Sequence, residues 1–116
     1  ANTPLQALTL LNDPTFTEAA RVLATKLIKQ SKKDLIQRAM MACLSRNATA
    51  EEFKILTKLH QEELTRFTAD PVAATKFISI GASPAPAASE IPSAALAAAT
   101  SITRTILNLH EAITRY

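Results

Sequence analysis

A chain of 116 residues suits one domain, with a core that removes roughly two-thirds of the unfolded chain's surface from water. Aromatics make up only 4% and glycine a single residue, while Ala, Leu, Ile and Thr abound, which favours helices packed through small and aliphatic side chains and argues against a sheet. The net charge of +3, from 13 basic and 10 acidic residues, is too dispersed for a nucleic-acid-binding stripe, and without a run of about 18 apolar residues no membrane-spanning helix is predicted.

The first predicted element is a short helix from Pro4 to about Asn12. Thr3 before Pro4, with Gln6 three residues after Thr3, spells a capping box, and Leu5, Ala7, Leu8, Leu10 and Leu11 leave it almost no polar face. We therefore expect a core plug with Leu8 inside. Asp13-Pro14 opens a second helix running to about Gln30, with Phe16, Ala20, Leu23 and Leu27 at helical spacing, flanked by Ala19, Val22 and Ile28. Lys26, Lys29, Lys32 and Lys33 gather at its end, where positive charge complements the helix dipole. A third helix follows, with a stripe of Ile36, Ala39, Met40, Cys43 and Leu44, ending near Ser45-Arg46-Asn47. Cys43, the one cysteine, lies on that stripe and reads as a buried, inert thiol; alone it forms no internal disulfide and supplies no haem-attachment or zinc motif.

Thr49-Ala50-Glu51-Glu52 is a second capping box, opening a long fourth helix whose predicted inner face is Phe53, Leu56, His60, Leu64 and Phe67, widened by Ile55 and Leu59. Asp70-Pro71 ends that helix and caps a fifth, carrying Val72, Ala73, Phe77 and Ile80 and stopping at Gly81, where a positive φ is expected. Residues 82–92 contain three prolines and read as an extended loop. The last helix starts near Ser93 and places Ala95, Ala99, Ile102, Ile106, Leu109, Ile113 and Tyr116 in one arc, opposite a polar arc of Arg104, Asn108, Glu111 and Arg115. The expected fold is an all-α bundle of about six helices forming a single domain over 1–116, its first and last helices close together. Because it opens at Ala1 and is within a helix cap by Thr3, the chain reads as a fragment of a longer protein.

Two blocks are more specific than helix grammar requires. Thr3-Pro4-Leu5-Gln6-Ala7-Leu8 with Leu11-Asn12-Asp13-Pro14-x-Phe16-x-Glu18-Ala19-Ala20, and Leu107-Asn108-Leu109-His110-Glu111-x-Ile113-Thr114-Arg115, resemble the opening and the ending of one C-terminal region. It is that of the planctomycete-type secreted proteins in which a cytochrome-c-like haem domain is combined with planctomycete-specific domains of unknown function. Leu44-Ser45-Arg46 before Thr49-Ala50-Glu51-Glu52-Phe53, then Gly81-x-Ser83-Pro84-x-Pro86, fit the same order, so the resemblance spans essentially the whole chain. Three positions depart from it: His110 stands where an aspartate is expected, Ser45 where a glycine is, and Ala99 where a tryptophan is common, the last two read as affecting packing. The resemblance implies an extracytoplasmic parent, periplasmic or secreted, with an indirect link to redox chemistry or polysaccharide breakdown. It carries over no catalytic residue and no cofactor.

Functionally, the residues suggest a non-catalytic packing and interaction module. Its interaction face would be Arg104, Asn108, Glu111 and Arg115, docking onto upstream domains of the same parent or onto another chain. The competing reading is a metal-dependent or redox enzyme domain using His60, Glu63 and His110, since bundle cores hold metals through inward Glu and His. Against it, the spacing His60-x-x-Glu63 reverses the usual Glu-x-x-His, and Glu111 projects away from the apolar arc. With one glycine, the chain also lacks the Gly-rich turn on which backbone amides converge around a nucleophile. No metal ligand is therefore assigned.

Overall fold

A computed structural model of the chain describes residues 14–81 and 84–114, with side chains up to position 109. All regular structure among these residues is helical: α1 (Pro14–Gln30), α2 (Leu35–Leu44), α3 (Ala50–Ala69), α4 (Pro71–Ile78) and α5 (Ser93–Thr114). Five helices are thus present among the described residues, against about six expected. The remaining one, between Pro4 and Asn12 and including Leu8, lies outside them, as does its packing against the last helix.

The helix starts follow the local chemistry. α1 begins on Pro14 and α4 on Pro71, where the Asp70 carboxylate accepts the Ala73 amide at 3.1 Å. At α3 the capping box is complete: Thr49 Oγ1 accepts the Glu52 amide at 3.1 Å, and Glu52 Oε1 accepts the Thr49 amide at 2.9 Å. α4 ends at Ile78, short of Gly81, which follows a turn and has φ +103°.

The organising element is α5, which packs against all four other helices. Its run Leu96-Ala97-Ala98-Ala99-Thr100-Ser101-Ile102-Thr103 is buried all the way round, correcting the expectation of an amphipathic helix with one inner arc. Alanine side chains let neighbouring helices approach closely. Two threonines of this helix turn their hydroxyls onto its own backbone, Thr103 Oγ1 donating to the Ala99 carbonyl at 2.8 Å and Thr105 Oγ1 to the Ser101 carbonyl at 2.9 Å, while the buried Thr100 hydroxyl makes no hydrogen bond among the described residues. Two apolar clusters flank this run. One joins Ala24, Phe67, Ala74, Ile78 and Ile91 to Leu96, Ala97 and Ala99; the other joins Leu27, Ile36, Ala39, Met40, Cys43 and Leu56 to Ile102 and Ile106.

The α2 stripe is inside as expected, with Leu44 half-buried, but other faces are rotated from the reading by periodicity. On α3 the inner residues are Leu56 and Phe67, with Leu59 and His60 half-buried, whereas Phe53, Ile55 and Leu64 are exposed. On α4 Ala74 and Ile78 are buried while Val72 is exposed, and on α1 Ala19 and Val22 face solvent while Thr17 and Arg21 are buried. In each case a helix crossing α5 buries only the narrow strip it lays on that axis, so apolar residues beside the strip stay outside.

Candidate interaction site

Several sequence features that look distinctive are latches of the scaffold. Arg46 closes the turn before α3, its guanidinium gripping both Glu52 oxygens at 2.7 and 2.9 Å. Those hydrogen bonds, with the Thr49 amide, hold the Glu52 carboxyl at about 2. Arg38 closes the α1–α2 connection by donating to the carbonyls of Leu27 at 2.9 and 3.0 Å, of Lys33 at 3.0 Å and of Ser31. Those carbonyls lie at and beyond the end of α1, where a helix has acceptors to spare. Sequence reading missed Arg38 because its partners belong to the preceding helix and turn.

Two distant blocks meet at the loop after α4. Gly81 lies against Glu18, whose side-chain carbons would stand 2.5–2.7 Å from a Cβ at that position, and buried Arg21 donates from Nη1 to the Pro84 carbonyl at 3.2 Å. Ser45 has φ 58° and ψ 29°, the left-handed cap of α2, with its amide on the Met41 carbonyl at 3.0 Å. The glycine expected there therefore answers a backbone demand, not the packing one first read into it.

The polar arc of α5 is only in part a free surface. Arg104 is half-buried, with its guanidinium carbon 4.8 Å from the Phe77 ring centroid and Nη1 donating to Thr17 Oγ1 at 3.5 Å. Burial lowers its pKa; the Glu63 charge opposes that shift and the Arg66 charge adds to it. Glu63 accepts two hydrogen bonds from Arg66, at 3.1 and 2.9 Å, and these hold its carboxyl below the ordinary range against the opposing effect of burial. Arg104 Nε and Asn108 Oδ1, both shielded, make no hydrogen bond among the described residues. The Glu111 side chain and Arg115 lie outside the description, so the four residues are not all brought together by it.

A separate apolar cleft of about 330 Å³ is lined by Met40 of α2, Glu52, Ile55 and Leu56 of α3, and Thr105 and Leu109 of α5. Ile55 is 63% exposed and Leu109 39%. Met41 and Phe53, on the same two partner helices, are also exposed. Periodicity alone placed Ile55, Phe53 and Leu109 inside, so this surface could not be found from the pattern.

The residues of the enzyme reading are separated in purpose. His60 lines a pocket with Ile28 and Leu35, while Glu63 is engaged by Arg66 near Arg104; the His110 side chain lies outside the description. Among the described residues no three His, Cys, Asp or Glu side chains come close enough to hold a metal ion. Cys43 is buried, and burial pushes its thiol up to about 11, which keeps it protonated and non-nucleophilic at neutral pH. No described helix is long and apolar enough to cross a membrane.

A family model described as PSD1, a protein of unknown function (DUF1553), matches residues 1–60, just over half of the chain. The chain belongs to this PSD1 family. No curated protein and no solved structure matches it. Within the matched part, the distinctive residues Glu18, Ser45, Arg46, Thr49 and Glu52 of this PSD1 chain all serve turns, caps or packing. The cleft is built from both sides of the matched boundary, since Thr105 and Leu109 lie beyond it.

Proposed function

We propose that this PSD1 chain is a non-catalytic helical packing and interaction module of a larger exported bacterial protein, docking onto upstream domains of the same parent. The observation that carries the reading is the cleft between α2, α3 and α5. Exposed apolar side chains grouped around a cleft are what an interface presents before its partner arrives. Ile55 and Leu109 would supply the apolar contact, and Arg104, Asn108, Glu111 and Arg115, a polar arc by their spacing in the sequence, would supply orienting hydrogen bonds. The exported location, the planctomycete origin and the haem-containing parent rest on the sequence resemblance alone.

The test is association between this chain and the upstream region of its parent, measured by titration calorimetry. Ile55→Asp with Leu109→Asp should weaken binding by about tenfold or more, since burying a charge in an apolar contact is costly. Both residues are exposed, so the fragment's own melt should move by no more than about 0.5 kcal/mol. Reversing Arg104 would be a poorer probe, because that side chain also stacks on Phe77 and bonds Thr17. Binding indifferent to the double substitution would overturn the assignment of this face.

A further inference from the structure

A second cavity, of about 200 Å³, opens where α1, α2, α3 and the start of α5 meet the loop before α5. Ile28, Leu35, Ile91 and Ala95 give it apolar walls, and three polar side chains, Lys32, His60 and Glu90, complete the lining. An apolar cavity of about 150 Å³ holds benzene, so this one has room for a single ring or a branched chain with one small substituent. It is below the usual range of about 300–1,000 Å³ for larger ligands, which excludes long acyl chains and nucleotides.

The charges at the cavity select the substituent. Glu90 is already met by Lys29 at 3.5 Å, whereas Lys32 makes no ion pair among the described residues. The unbalanced charge at the opening is therefore positive. His60 makes no hydrogen bond among the described residues, and burial favours its neutral form, which carries one N–H donor. We infer that the cavity binds a small apolar monocarboxylate, its body between Ile28, Leu35, Ile91 and Ala95 and its carboxylate facing the Lys32 ammonium and the His60 imidazole. A cation would meet Lys32 unfavourably, and a neutral apolar molecule would gain nothing from the ammonium. This site lies apart from the α2–α3–α5 cleft and stands independently of the docking function.

Phenylacetate titrated into the nitrogen-15-labelled 116-residue chain tests this, with 2-phenylethanol as its uncharged counterpart. Phenylacetate should shift the amides of His60, Ile91 and Ala95 saturably with Kd of about 1 mM, and the alcohol should bind about tenfold more weakly. Lys32→Glu, an exposed change without a broken ion pair, should weaken phenylacetate by about tenfold and leave the alcohol unaffected. Leu64→Trp, placing a bulkier group on the cavity wall, should abolish both. Absence of saturable shifts up to about 10 mM, equal affinity for acid and alcohol, or phenylacetate binding unchanged in Lys32→Glu would each overturn the assignment.

Discussion

Replacing Ser45 by glycine should stabilise the fold. Ser45 holds φ 58° and ψ 29° at the end of α2, a conformation that costs an L-residue about 1–2 kcal/mol because its Cβ crowds the following carbonyl. Glycine removes that strain but gives back about 0.5–1 kcal/mol through the greater freedom of the unfolded chain. The net gain is about 0.5–1 kcal/mol. Little else changes, because Ser45 is exposed, its side chain makes no hydrogen bond among the described residues, and its amide keeps the Met41 carbonyl at 3.0 Å in either variant. Thermal unfolding followed by circular dichroism should show Tm raised by about 2–4 °C, with Ser45→Ala unchanged and Ser45→Val lowered. A glycine variant no more stable than the wild type would refute the account of this cap, and with it the reason for preferring glycine there.

Ile106 is fully buried between α2, α3 and α5, so Ile106→Ala should cost about 2–5 kcal/mol in urea melts, against less than about 0.5 for Ile55→Ala on the exposed flank of α3; equal effects would dissolve the distinction between core and cleft. Gly81→Ala should cost about 1–3 kcal/mol, and adding Glu18→Ala should recover only part of it, since the φ of +103° and the contact with the Glu18 Cβ at 2.6 Å both remain; full recovery would show that the outer carbons of Glu18 alone set the cost. Arg38→Lys should lose about 1–3 kcal/mol, because an ammonium cannot span the carbonyls of Leu27, Ser31 and Lys33; an unchanged melt would make that clamp incidental. His60 has a folded pKa below its free value of 6.5, so the unfolded state binds more protons between the two values. Stability should therefore be full above about 6.5 and fall as pH drops through the folded pKa. The difference between wild type and His60→Gln should vanish in slope only if His60 does not titrate.

The amino-acid sequence by itself determined the helices and most of their ends, because those depend on interactions within a few residues. Pro14, the Thr49–Glu52 box and Asp70-Pro71 each act on neighbouring backbone and stand in the structure where the local chemistry put them, whereas Gly81 has the expected positive φ but follows the end of α4 at Ile78 instead of capping it. The α2 stripe was legible too, since α2 buries one simple face. Which helix would be central was not legible: alanine and threonine carry weak hydropathy, and Thr103 and Thr105 look polar until their hydroxyls turn onto carbonyls of their own helix. Nor was the candidate site legible. Arg104 reads as a surface charge until Thr17, 87 residues away in sequence, and Phe77 are brought against it. Ile55 and Leu109 read as core until α3 is laid on α5 at an angle that leaves them outside. Those outcomes depend on how helices cross, which the tertiary packing of α1–α4 around α5 decides and no three- or four-residue spacing encodes.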